Sequence, residues 1–142
     1  MGDPAAATGH LALVIEADEA ARRETRLALE ARGIAALTAP CGLSGLDALL
    51  EHLLGLSIVV ADLRAPGLDG WRLVRLVRQL GNEQDLRLLI TGEGVSGAWA
   101  ARLAEMGADA VLDRSVGPAG VAEHAAALLA LGPRARSSER AA

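Results

Sequence analysis

Residues 58–70 read IVVADLRAPGLDG, an apolar run that ends in a single aspartate and is followed by a loop rich in Pro and Gly. Continuous apolar runs of this length are typical of parallel strands that are buried on both faces of a sheet. Asp62 therefore stands at the predicted end of a buried strand. Its residue type is compatible with a turn or cap residue, a metal ligand or a nucleophile, and the rest of the chain must decide among them.

Four further apolar runs have the same character, and segments with helical periodicity separate them. The predicted strands are 11–15, 35–38, 57–61, 86–91 and 110–113. The apolar stripes expected to pack on the sheet are Leu46, Leu49, Leu50 and Leu53 in one helix and Leu73, Val74, Val77 and Leu80 in another. The last helix opens with Pro118 and closes on Gly132. Five strand-then-helix units predict a doubly wound α/β fold with the flavodoxin-like strand order 2-1-3-4-5.

The composition limits the class of protein. With 142 residues, 51% of them apolar, the chain has the size of one domain, expected over 11–131 between a flexible N-terminus at 1–10 and a solvated tail at 132–142. A net charge of −4 without a basic block argues against nucleic-acid binding. The apolar runs are too short to span a bilayer and the start lacks a signal-peptide pattern, so we expect a cytoplasmic protein with no membrane contact.

Polar side chains gather where the predicted strands end. In an open parallel sheet of this order the ligand site lies outside the carboxyl ends of the strands, between strands 1 and 3. The residues at strand ends are Glu16, Ala17, Asp18, Asp62, Thr91, Asp113 and Arg114. Carboxylates held together favour a hard cation such as Mg²⁺, and a hydroxyl with a guanidinium suits phosphoryl oxygens. The set indicates metal-assisted phosphoryl chemistry, whereas the acidic turn EADEAAR at 16–22 disfavours a nucleotide site.

Four motifs occur in order at these strand ends. They are LVIEADEAAR at 13–22, VVADLRAPGLDGW at 59–71, LLITGEG at 88–94 and GADAVLDRS at 107–115. Each is weak alone, but the four together resemble the receiver domain of bacterial response regulators over residues 11–131. The resemblance implies a flavodoxin-like fold, and a protein that is not an enzyme beyond receiver-type phosphorylation of itself.

The resemblance also implies roles for individual residues. Asp62 would accept a phosphoryl group from a sensor histidine kinase or a phosphotransfer protein, with Mg²⁺ as the cofactor. Glu16, Asp62 and the main-chain carbonyl of Arg64 would hold the metal, while Thr91 and Arg114 would contact the phosphoryl group. A downstream protein partner would read the modified surface, and a homodimer is compatible with the resemblance.

Three positions depart from the receiver pattern. Ala17 stands where receivers usually have a second metal-binding acid, and we expect Asp18 next to it to point elsewhere as the helix begins, so Mg²⁺ binding should be weakened and phosphorylation slowed. Arg114 replaces the usual lysine and brings a planar fork instead of a compact ammonium. Val111 occupies the position of the aromatic switch residue, so an inward ring movement behind Thr91 is excluded.

Two functions follow from these residues. The first is a receiver in a two-component phosphorelay, with Asp62 as the phosphoacceptor. The second is a phosphorylation-independent pseudo-receiver that keeps the fold as a protein-binding module, which Ala17 and Val111 favour. A third and more remote function is that of a small flavodoxin-like enzyme or nucleotide binder. It is disfavoured because a Gly-rich phosphate loop is missing from the first strand-to-helix turn.

Overall fold

A computed structural model describes residues 8–81, 85–94 and 97–132. Within these ranges the chain alternates strands and helices along its whole length. The elements are β1 (Leu11–Ile15), α1 (Glu19–Glu30), β2 (Ala35–Ala39), α2 (Gly42–His52), β3 (Ile58–Asp62), α3 (Gly70–Gly81), β4 (Arg87–Gly92), α4 (Gly97–Met106), β5 (Ala110–Asp113), a 3₁₀ turn (Arg114–Val116) and α5 (Gly117–Ala130). The strands form one parallel sheet in the order β2-β1-β3-β4-β5, which confirms the predicted topology.

The sheet is covered on both faces, which explains the apolar runs. Side chains of successive strand residues point to opposite faces, so alternate residues of β1, β3 and β4 enter two separate cores. Leu13 and Val59 belong to the core covered by α2, α3 and α4, whereas Val14 and Val60 belong to the core covered by α1 and α5. A strand buried on both faces needs apolar residues at every position, and the three central strands have them almost throughout.

Helix α2 departs from the predicted stripe at one position. Leu50 was expected to pack on the sheet, but 53% of it is exposed. The buried side of α2 is centred on Gly45 and Leu49, and Leu50 follows Leu49 by about 100° around the helix axis. A leucine at helical spacing was therefore wrongly assigned to the core, because the close approach of Gly45 to Ile15 rotates the helix so that Leu50 faces solvent.

The ends of the chain lie partly outside the described residues. The expected flexible N-terminus falls outside them at 1–7, while Thr8 donates both its main-chain N–H and its hydroxyl to the Gly33 carbonyl. The expected solvated tail falls outside them at 133–142. Gly132 has a φ of 85°, the left-handed conformation that glycine adopts readily after a helix. In the described part of the chain, the helices are too short or too polar to cross a membrane.

Candidate functional site

The polar strand ends converge at the carboxyl edge of the sheet. Asp62 is the last residue of β3 and pairs directly with Thr91 on β4. Glu16 follows β1, and Arg114 opens the 3₁₀ turn that follows β5. Because parallel strands bring their carboxyl ends to one edge, four separate segments place their side chains in one pocket.

The Asp62 carboxylate is buried and uses both of its oxygens. Its side chain is 2% exposed. The main-chain N–H of Arg64 donates to Oδ1 at 2.9 Å. The Thr91 hydroxyl and the Arg114 guanidinium both donate to Oδ2, at 2.7 Å and 2.5 Å. A buried carboxylate costs much free energy unless such donors compensate its charge, and these three donors provide that compensation.

Arg114 joins the two acids of the pocket. The same terminal nitrogen, Nη1, that contacts Asp62 also donates to Oε1 of Glu16 at 3.1 Å. Partial burial lowers the pKa of Arg114, but the charges and hydrogen bonds of Asp62 and Glu16 outweigh that effect and raise the pKa above the ordinary value of arginine. The guanidinium is therefore a permanent positive charge between two carboxylates.

The loop after β1 orients Glu16 and turns Asp18 away. The Asp18 main-chain N–H donates to Oε2 of Glu16 at 3.0 Å, while the Asp18 side chain accepts from the Ala21 N–H and caps α1. The Arg22 guanidinium donates to the carbonyl oxygens of Glu16 and Ala17, at 2.9 and 3.3 Å. Asp18 thus satisfies the helix N-terminus and leaves Glu16 as the acid of β1 in the pocket.

Comparisons of the sequence and the fold with known proteins identify the proteins that this chain resembles. No protein-family model matches the chain. Over 66 residues it is 41% identical to the transcriptional regulatory protein CseB of Streptomyces avermitilis, a match that covers 46% of this chain and only 27% of that protein. A response regulator receiver domain protein from Clostridium thermocellum aligns with a TM-score of 0.73 and 21% identity over 86% of this chain and 98% of its own. The receiver domain of a Francisella response regulator aligns with a TM-score of 0.73 and 19% identity over the same shares. The chain has the receiver-domain fold.

The Mg²⁺ that the receiver resemblance implies does not fit the pocket as it is arranged. Glu16 and Asp62 are the carboxylates that face each other, and Arg114 Nη1 lies between them. Ala17 offers no carboxylate. Among the described residues, no group of three or more His, Cys, Asp or Glu side chains is placed to hold a metal. A divalent ion prefers six or more oxygen ligands, and here the space between the two acids is already taken by a cation.

A small cavity adjoins the carboxylate of Asp62. It has a volume of about 50 Å³ and lies between the sheet edge and helices α1 and α5. Its polar lining residues are Glu16, Thr25, Asp62, Thr91 and Arg114. Since one water needs roughly 10–15 Å³ of such volume, the cavity has room for a few waters or a group of similar size. A nucleotide or a flavin does not fit in it, which argues against the third function considered above.

The side-chain contacts of two arginines that lie beside the pocket were not predicted from the sequence. The Arg64 side chain lies 3.8 Å from Asp62 and 3.5 Å from Glu93, in addition to the main-chain contact. Arg22 reaches back from the first turns of α1 to the strand end. Both arginines follow an acidic residue at a strand end by only a few positions. This proximity in the sequence could have indicated that their side chains reach back to the strand end. The metal-binding role of the Arg64 carbonyl stays a prediction.

Strand β5, with the sequence AVLD, contributes no aromatic ring to the core. Val111 is partly buried and packs against the core covered by α2, α3 and α4. Trp71 of α3 and Trp99 of α4 form an edge-to-face pair with centroids 4.4 Å apart on that side of the sheet. Both tryptophans therefore serve packing between neighbouring helices.

Proposed function

We propose that the chain is the receiver domain of a two-component system that takes up a phosphoryl group on Asp62 and signals by protein contact. The donor is a histidine kinase or a phosphotransfer protein in the cytoplasm, and Asp62 is modified once per transfer without catalytic turnover. The observation that supports this most is a single carboxylate placed between a hydroxyl and a guanidinium at the carboxyl edge of a receiver fold. These are the groups that recognise phosphoryl oxygens.

The hydrogen bonds of Asp62 support Oδ1 as the oxygen that reacts in the proposed transfer. Oδ2 of Asp62 accepts from both Thr91 and Arg114, which uses its two lone pairs. Oδ1 accepts only the Arg64 N–H among the hydrogen bonds described, so it keeps a lone pair. In the proposed step Oδ1 attacks phosphorus, the P–N bond of the phosphohistidine breaks, and the imidazole leaves with the electron pair and takes up a proton. Thr91 and the two guanidiniums of Arg64 and Arg114 bind the phosphoryl oxygens.

A second candidate is the pseudo-receiver. It is favoured by the 2% exposure of Asp62 and by the donors that bond both of its oxygens, because a carboxylate stabilised in this way gains less from reaction. In this function the pocket stabilises the fold, and a protein partner binds the surface whether or not phosphate is available. Val111 supports it as well, since a valine cannot perform the ring movement of an aromatic switch.

Intact-mass spectrometry after incubation with acetyl phosphate tests the proposed function. The wild type should gain one phosphoryl group, and Asp62→Asn should gain none, because the amide keeps the local hydrogen-bond acceptor but is not a nucleophile. Asp69→Asn is the matched control, since Asp69 is a half-exposed acid in the same loop that caps α3 and should leave uptake unchanged. Equal mass for the wild type and Asp62→Asn, with acetyl phosphate and with a phosphorylated phosphotransfer protein, contradicts the proposal.

The pseudo-receiver makes the opposite prediction about partners. A partner complex isolated with the wild type should then form with the same affinity for Asp62→Asn. A complex that depends on the phosphoryl group excludes this second candidate.

A further inference from the structure

The two carboxylates of the pocket share a positive side chain that the protein itself supplies. Two carboxylates brought close together repel each other and lose hydration, so a site of this kind normally needs a counter-cation. Glu16 and Asp62 are both buried, and one nitrogen of Arg114 contacts both of them. The half-exposed Arg64 guanidinium adds a second positive charge 3.8 Å from Asp62. Arg64 also lies 3.5 Å from Glu93 and shares its charge with that acid, so Arg114 is the cation that contacts both carboxylates of the pocket.

We propose that Arg114 is the built-in counter-cation of this site, and that the site consequently binds no divalent metal ion. A metal bound between Glu16 and Asp62 would have to displace Nη1 of Arg114 and break two charge-assisted hydrogen bonds. It would also place a double positive charge next to a guanidinium that cannot lose its proton. The corollary, which rests on the proposed function, is that phosphoryl uptake on Asp62 does not require Mg²⁺.

Hydrogen bonds of the neighbouring Asp113 hold the backbone from which Arg114 projects. Asp113 precedes it and caps the 3₁₀ turn, since its Oδ1 accepts the Ser115 N–H at 2.9 Å. The other oxygen of Asp113 accepts the Gly94 N–H at 3.1 Å and so connects the end of β5 to the loop after β4. Arg114 thus leaves the strand from a turn held at two points. One guanidinium nitrogen, Nη1, reaches both acids from this turn, whereas a lysine ammonium would end one bond short of that position.

Arg22 provides a matched control for a test of Arg114 as the counter-cation. It lies at the same rim and carries the same charge, but it donates to the main-chain carbonyls of Glu16 and Ala17 and contacts neither carboxylate in the hydrogen bonds described. Arg22→Gln and Arg114→Gln therefore remove equal charge from the same region. Only Arg114→Gln removes the cation that lies between the acids.

The test is a titration of the purified proteins with Mn²⁺, with free Mn²⁺ measured by electron paramagnetic resonance and Mg²⁺ added as competitor. The wild type and Arg22→Gln should show no saturable binding at millimolar Mn²⁺. Arg114→Gln should bind Mn²⁺ saturably, with a dissociation constant at least about tenfold below the highest Mn²⁺ concentration at which the wild type shows no binding, because the competing charge is gone. Saturable binding to the wild type in the millimolar range or below, or absence of binding to a folded Arg114→Gln, overturns the proposal.

A second variant covers the case in which Arg114→Gln does not fold. Arg114→Lys keeps the positive charge, but its ammonium ends one bond short of the Nη1 position, so it should contact the two acids less closely and allow Mn²⁺ to bind more tightly than in the wild type. Circular dichroism of each variant establishes that it is folded. A folded Arg114→Lys that binds Mn²⁺ no better than the wild type contradicts the proposal.

The phosphoryl corollary has a separate readout. Intact mass after acetyl phosphate treatment is compared in excess EDTA and in Mg²⁺. An equal gain in both conditions supports metal independence. A gain in Mg²⁺ alone overturns the corollary and leaves the proposed function standing. No gain in either condition, with acetyl phosphate and with a phosphorylated phosphotransfer protein as donors, contradicts the proposed function and leaves the Mn²⁺ result to decide the role of Arg114.

Discussion

Replacement of Arg114 by methionine should destabilise the protein strongly. Methionine retains much of the aliphatic volume but removes the charge that joins Glu16 to Asp62. The two acids then remain in a buried pocket without the cation between them. Removing one partner of a buried ion pair typically costs about 3–5 kcal/mol, because an uncompensated charge is left behind.

The structure places this variant at the lower end of that range. Asp62 keeps the Thr91 hydroxyl and the Arg64 N–H as donors, and the Arg114 side chain is 21% exposed, so water compensates part of the loss. We therefore expect a decrease of about 3 kcal/mol in the free energy of unfolding. For a domain of this size that corresponds to a fall of roughly 10 °C in the melting temperature.

Urea denaturation followed by circular dichroism at neutral pH measures the effect. The double variant Arg114→Met with Asp62→Asn should recover about 1–2 kcal/mol relative to additivity, because the charge left unpaired is removed as well. Arg102→Met is the surface control, since Arg102 pairs with Glu105 through side chains that are 66% and 69% exposed, and it should change stability by less than about 0.5 kcal/mol. The reasoning is refuted if Arg114→Met lowers the free energy of unfolding as little as the control does. It is also refuted if the effects of Arg114→Met and Asp62→Asn on that free energy simply add in the double variant.

Three further predictions concern the core and the loop around the pocket, and urea denaturation measures each. Leu89→Ala in the fully buried centre of β4 should cost about 2–5 kcal/mol, whereas Leu54→Ala, at a leucine that is 82% exposed, should cost less than about 0.5 kcal/mol; similar losses would contradict the burial. Gly42→Ala should cost about 1–3 kcal/mol, because its Cβ would collide with the main-chain carbonyl of Gly67; an unchanged stability would show that the loop at Gly67 moves to accommodate the methyl group. Thr91→Val should cost about 1.5–3 kcal/mol by removing a hydrogen bond to a charged group, whereas Thr38→Val on the exposed edge strand should be nearly neutral; equal effects would argue against the hydroxyl contact.

The fold was predictable because its signal is local in the chain. Each apolar run marks a strand that both faces of the sheet bury, and the strand boundaries agree to within about one residue, as in 57–61 against Ile58–Asp62. The interpretation failed where burial depends on how a helix is rotated against its neighbours. Leu50 has the spacing of a core residue, but the contact of Gly45 with Ile15 turns it to solvent.

The sequence by itself determined which residues stand at the strand ends, and therefore that Glu16, Asp62, Thr91 and Arg114 share one edge of the sheet. Only the tertiary structure decided that one nitrogen of Arg114 joins Glu16, 98 residues away, to Asp62, 52 residues away. The direction of a long flexible side chain depends on the register of the strands, on the capped turn after β5 and on the charges that reach it from other segments. These are contacts between distant parts of the chain, and no local pattern of residues encodes them.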